Sequence, residues 1–202
     1  MGRSSLAAER KEQILSAFAR CVARSGFART SLEDVAAESG LARGHVRHYL
    51  GNRHDQVAAL AEWINAPGRE AFDRVRGIDD DRKRADGVLD YLFHPGFYGP
   101  SDELAVFLAL FEEARRTEDL RKKFVDEYHD ILDTLTGALM GGHALPKREA
   151  SDIAYLMLCA AVGNAHLSET GVSPVRARRV GGLCRRVLRM LLPANGKSAA
   201  GS

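Results

Sequence analysis

Cysteine, proline and tryptophan are scarce in this 202-residue chain, with three, six and one respectively. Each scarcity removes a class of structure. Cys21, Cys159 and Cys184 are odd in number and far apart, and each sits in an apolar helical pattern. They make neither a disulfide framework nor a zinc site, and read as small buried hydrophobes of a reducing compartment. No apolar run approaches the roughly 20 residues that span a bilayer. The start, MGRSSLAAER, shows no apolar leader, and Leu6 stands where a myristoylation signal requires Ser or Thr. A cytoplasmic protein without membrane contact is expected. No Gly-rich phosphate loop, nucleophile elbow or metal-ligand spacing is present, so the expectation is no enzyme, no cofactor and no metal. The acidic neighbours Glu112 and Glu113 point to different sides of a helix. His45, His48 and His54 come without cysteine or suitably spaced carboxylates.

Charge is also missing where it would be informative, because the formal net charge is only +2. Its distribution is uneven. Residues 1–55 carry nine basic and six acidic side chains, residues 56–172 carry 13 and 21, and the remainder carries seven and none. A basic start and an acidic middle are different kinds of surface, although solvated faces alone account for many such imbalances.

What the chain has in abundance is helical periodicity, and no stretch alternates with period two for long enough to be a strand. An all-α fold of about nine helices is expected. Helices are predicted over 10–25, 32–39, 43–49, 53–77 with a kink at Pro67, and 82–93. Another is marked by Leu104 to Phe111, and a long stripe runs from Leu120 to Leu139. The last two are predicted over about 147–170 and 174–192. Thr30 or Ser31 caps the second helix, with Glu33 or Asp34 completing a capping box. The small, polar tail 193–202 is expected to be disordered. No internal repeat is visible.

The stretch GLARGHVRHYLGNR, from Gly40 to Arg53, crowds Arg43, His45, Arg47, His48 and Tyr49 into little more than two helical turns. Only Val46 and Leu50 there suit a core. Three short helices with a tight SGLA turn between the second and third describe a helix-turn-helix unit. In such a unit the third helix enters the major groove and its donors reach base edges and phosphates. Arg43 and Arg47, one turn apart, can offer forks to guanine or to phosphate. Tyr49 and the His pair can donate to phosphates, while the other reading of His45 and His48 is ordinary surface. Gly44 is either a tolerated helix glycine or a place where the backbone approaches DNA closely.

Residues 14–60 resemble the DNA-binding domain of TetR-family transcriptional regulators. The pattern is followed at Gly26, Phe27, Thr30, Ser31, Leu32, Val35, Ala36, Gly40, Leu41, Arg43, Gly44, Tyr49 and Arg53. It departs at Ala42, where Ser is usual, at Arg47 for Tyr, at Leu50 for Phe, and at His54 and Gln56. The resemblance implies DNA contacts from Thr30, Ser31, Arg43, Gly44, His45, Arg47, His48, Tyr49 and Arg53. It divides the chain into a DNA-binding domain, 1–55, and a ligand-binding and dimerisation domain, 56–192.

In the larger part, Val180, Leu183, Cys184, Val187, Leu188 and Leu191 recur at helical spacing as one apolar stripe. The preceding helix is apolar almost all round, so it needs partners on more than one side. The family dimerises through its last two long helices, which implies an interface at Val180, Leu183, Val187, Leu188 and Leu191; an ordinary internal helix is the alternative. Aromatics are numerous enough to line a cavity. Trp63, Phe107, Phe111, Tyr128, Tyr155, Asn164 and His166 are the ligand candidates, with His94 and His129 as further polar anchors; plain core is the competing reading. Asn164 and His166 stand out because they interrupt an apolar run. The expected function is a homodimeric repressor, released from double-stranded operator DNA by a small-molecule effector. An activator of the same fold, or a helical ligand-binding protein or enzyme without DNA binding, are the alternatives.

Overall fold

The computed structural model describes residues 2–97 and 101–192. The tail 193–202, expected to be disordered, lies outside them. The described residues form ten α-helices and no strand, in agreement with the all-α expectation. In chain order the helices are α1 (Gly2–Ser25), α2 (Leu32–Ser39), α3 (Arg43–Leu50), α4 (Arg53–Arg76) and α5 (Asp81–Leu92). They continue with α6 (Asp102–Ala114), α7 (Glu118–His143), α8 (Lys147–Glu169), α9 (Pro174–Ala177) and α10 (Val180–Leu191). No described helix is long and apolar enough to cross a membrane.

Side chains decide where these helices start and stop. Ser31, not Thr30, caps α2: its hydroxyl accepts from the Asp34 amide at 3.2 Å, and Asp34 Oδ2 accepts from the Ser31 amide at 2.8 Å. Gly40 ends α2 with φ +68°, a left-handed conformation that costs glycine little. Asn52 Oδ1 accepts from the amides of His54 and Asp55 to open α4. That helix runs on through Pro67, whose ring lacks the N–H that would bond the Trp63 carbonyl.

The chain folds into two compact units, Met1–Glu70 with Pro100–Asp126, and Ala71–Gly99 with Glu127–Ser202. In the first, α1 packs on α2, α3 and α6. Ile14, Phe18, Val22, Val35, Val46 and Leu104 are buried there, and Phe18 meets Phe27 edge to face at 5.9 Å. Glu38 on α2 takes hydrogen bonds from Arg20 and Arg24 of α1, each at 2.6 Å, and these hold its carboxyl below the usual range.

In the second unit α8 packs on α5, α9 and α10. Val88, Leu89, Leu135, Leu139, Met157 and Leu188 belong to its core. Two expectations need correction here. The single helix predicted over 174–192 is two, α9 and α10. The Asn164 side chain donates to the Ala177 carbonyl at 3.2 Å, so that carbonyl is satisfied without a continuing helical bond. The cysteines are not all buried either. Cys21 is buried and Cys184 half-buried, but Cys159 is exposed, because it lies on the side of α8 that its own unit leaves uncovered.

Candidate nucleic-acid interface

Helix α3 is held by two apolar residues one turn apart, Val46 and Leu50, both buried. Anchoring at i and i+4 turns the rest of the helix outward. Arg43, Gly44, His45, Arg47 and His48 are exposed, and Tyr49 is half-buried with its ring edge to face on His48 at 5.4 Å. The sequence therefore grouped these six correctly on one short helix, and the structure turns five of them fully outward.

Their donors differ in freedom. Arg43 Nε lies 2.9 Å from Glu33 Oε1 on α2, in a pair exposed on both sides. Such a pair is worth little in water and can yield to a phosphate or a base. Arg47 makes no ion pair among the described residues. A Cβ placed on Gly44 would meet nothing within 4 Å, so internal packing does not demand glycine there. Its bare backbone faces outward, where only an approaching partner would benefit. Ala42 gives α3 no side-chain cap: the His45 amide bonds the Ala42 carbonyl at 2.8 Å, and the Arg43 and Gly44 amides ahead of it meet no capping side chain.

Thr30, Ser31 and Arg53 each also bond within the chain. Thr30 is buried and donates its hydroxyl to the Gly26 carbonyl at 2.9 Å. Ser31 is exposed but is occupied as the α2 cap. Arg53 donates to the Thr30 carbonyl at 3.2 Å and to the Phe27 carbonyl. Its guanidinium also sits 5.9 and 5.6 Å from the Phe18 and Phe27 ring centroids. The bonds of Thr30 and Arg53 hold the turn that leads into α2, while Arg53 stays exposed and keeps N–H groups beyond those two bonds. Sequence reasoning missed the Glu33 contact to Arg43; only the α2–α3 crossing brings the two within reach.

The ligand candidates are dispersed. In the first unit, Phe107 and Phe111 each meet Phe124 edge to face at 5.9 Å. Trp63 is half-buried and donates from its indole to Glu12 at 2.7 Å. In the second unit, burial first and then Glu127 and Tyr91 push the Tyr128 phenol up to about 12. Asn164 is buried on the inner side of α8, whereas Tyr155 and His166 are exposed on its outer side. One helix therefore separates candidates that the sequence grouped. His94 and His129 are exposed as well.

The candidate dimer residues divide too. Leu183, Val187 and Leu191 are exposed, Val180 is half-buried, and Leu188 is 5% exposed within its own core. Leu188 is therefore withdrawn from any outer face, because one side of the stripe is consumed by packing on α8 and α5. Met190, 80% exposed, joins that face instead. On α8, Tyr155, Leu156 and Leu167 are exposed, and Gly163 between them has open space around it. The signal for this face was the period of the small and apolar residues left over once the buried set is removed.

No protein-family model matches the sequence, and no curated protein sequence matches it. Solved structures do. A TetR transcription regulator from Haloarcula marismortui is 17% identical with a TM-score of 0.75, over 92% of this chain and 100% of that one. A transcriptional regulator from Rhodococcus is 19% identical with a TM-score of 0.73, over 92% and 99%. A protein from Saccharomonospora viridis, described as a transcriptional regulator in complex with choline, is 18% identical with a TM-score of 0.75, over 92% and 98%. These similar structures are transcriptional regulators, not enzymes. The chain has the fold of the TetR transcriptional regulators.

Proposed function

We propose that the protein is a sequence-specific DNA-binding transcriptional regulator of the cytoplasm, a homodimeric repressor released from its operator by a small molecule. The outward set of donors on α3, anchored by Val46 and Leu50, carries the DNA-binding part of this reading. Residues 1–55 hold the DNA-reading helices. Arg43 and Arg47 contact base edges or phosphate, and His45, His48 and Tyr49 contact phosphate. Thr30, Ser31 and Arg53 act by bracing the turn before α2.

Residues 56–192 pair two copies and take the effector. Leu183, Val187 and Leu191, with Leu156 and Leu167, are exposed apolar side chains that a second copy would remove from water. A Cβ placed on Gly163 or Gly182 would meet nothing within 4 Å, and glycine in an exposed helix is unfavourable by about 1 kcal/mol unless close approach compensates. For the effector, the acidic balance of residues 56–172 favours a cationic or neutral molecule, and choline in the Saccharomonospora viridis structure is a cationic example.

Footprinting on the DNA flanking the gene tests the reading. A protected pseudo-palindrome, bound with an affinity that falls steeply with salt, is expected. Absence of any protected site at low salt would sink it.

A further inference from the structure

Helix α2 carries three carboxylates, and each has a different partner. Asp34 closes the capping box with Ser31, and Glu38 takes the hydrogen bonds of Arg20 and Arg24 on α1. Glu33 reaches α3 instead: its Oε1 lies 2.9 Å from Nε of Arg43, and neither residue makes another ion pair among the described residues. Glu33 is the second residue of α2 and Arg43 the first of α3. The turn between the helices is fixed by Gly40 at φ +68° and by the Leu41 amide on the Ala36 carbonyl at 3.2 Å. A carboxylate beside the outward donors of α3 repels phosphate, so its place there calls for a reason.

Arginine has five N–H donors, one on Nε and the rest on the two terminal nitrogens. With Nε at Glu33, the terminal N–H groups are left for a partner, and end-on they make a fork that suits O6 and N7 of a guanine. The guanidinium is also held to fewer rotamers, so less freedom is lost when it docks. The charge of the pair selects the partner. A phosphate that approaches Arg43 meets the Glu33 carboxylate as well, and the two anions repel. A guanine edge is neutral and offers the fork two acceptors. As a duplex covers the pair, water leaves and the attraction between the two side chains strengthens. Arg47, one turn further along the same face, is exposed and makes no ion pair among the described residues, so its full charge is left for a phosphate.

We infer that Glu33 is a positioning residue that sets base specificity through Arg43: it aims Arg43 at a guanine and keeps it off phosphate, while Arg47 takes the phosphate. The inference rests on the DNA-binding reading proposed above. Its sign is distinctive, since removing Glu33 frees a cation. Glu33→Gln is expected to bind unrelated duplex more tightly than the parent and yet to distinguish bases less well.

The test uses the full-length protein, a duplex that it selects from a random pool, and the single base-pair variants of that duplex. Glu33, Arg43 and Arg47 are exposed, and circular dichroism checks that their variants are folded. Arg43→Ala is expected to lose discrimination at a G·C pair of the bound site, at least about fivefold, with little change in salt dependence. Arg47→Ala is expected to weaken all duplexes alike and to lower the slope of log affinity against log salt by about 0.9 for each bound subunit. Glu33→Gln is expected to lose preference at the same pair as Arg43→Ala, to steepen the salt slope, and to change nothing in an Arg43→Ala background. Preference and salt slope unchanged in Glu33→Gln would overturn the inference. So would an Arg43→Ala protein weakened equally on all duplexes. An effect of Glu33→Gln that persists without Arg43 would give Glu33 a base contact of its own, and also overturns the inference. A parent protein that selects no duplex even at low salt would instead remove the DNA-binding reading beneath it.

Discussion

Asn164 on α8 donates its side-chain amide to the carbonyl of Ala177, 13 residues further on, at 3.2 Å, and both residues are buried. The bond joins α8 to α9 at the point where the chain turns toward α10. Asn164 had looked like a ligand anchor because a polar residue interrupted an apolar run. The structure supplies a partner within the chain. Replacing it with Leu leaves the Ala177 carbonyl buried without that donor, and stability is expected to fall by about 1–3 kcal/mol. Chemical denaturation checks this; an unchanged midpoint would show that the bond contributes nothing.

Arg43→Ala removes a donor that faces outward, so the fold is expected to survive while operator affinity drops by roughly 1–3 kcal/mol if the guanidinium reads a base. Tyr49→Phe is expected to weaken binding to all sequences alike, since a phosphate contact carries no sequence information. Arg53→Ala is expected to act differently, lowering thermal stability together with affinity, because its bonds go to Thr30 and Phe27. Melting curves and titrations of operator and random DNA separate the three. A fully stable Arg53→Ala protein with impaired DNA binding would return Arg53 to the interface.

The two leucines at 183 and 188 are expected to part company. Leu183→Asp puts charge on an exposed strip, and the product should be a folded monomer with weak operator binding, because a two-fold site needs two half-site readers. Leu188→Ala opens a cavity in a subunit's own core and is expected to cost about 2–5 kcal/mol. Sedimentation and denaturation distinguish them; a dimeric Leu183→Asp protein would move the interface elsewhere.

Acid is expected to loosen the packing of α1 on α2. The Ser31 hydroxyl and amide lower the Asp34 carboxyl, and the hydrogen bonds from Arg20 and Arg24 lower that of Glu38. Both groups bind a proton less readily folded than unfolded. Their contribution is thus present above the ordinary carboxylate range and is lost as pH falls through their lowered folded values. Melting followed from pH 7 to pH 3 is expected to show this loss, reduced in Glu38→Gln. An identical acid profile for Glu38→Gln would remove Glu38 from the account.

An effector can release the protein only by binding the DNA-incompetent state more tightly. Operator must then weaken effector binding by the factor by which effector weakens operator binding. Titrating a screened binder with and without saturating operator measures both, and equal affinities would exclude that molecule as the inducer.

Local chemistry made much of this protein legible in its sequence. The ends of α2 and α3 follow from Ser31, Asp34, Gly40 and Gly51, residues that act on their own neighbours. The outward donors of α3 follow as well, because Val46 and Leu50 are the only residues there that suit a core. Tertiary structure decided whatever depended on which side of a helix its own chain covers. A stripe from Val180 to Leu191 has one period whether α8, a second copy or both bury it, and only packing separates Leu188 from Leu183. Cys159 and Tyr155 sit in an apolar run as Met157 does, yet α8 turns them outward and Met157 inward. The α9–α10 break was equally hidden, since it is held by a side chain 13 residues earlier. Periodicity states that a face is apolar; what lies against that face is set by residues distant in sequence.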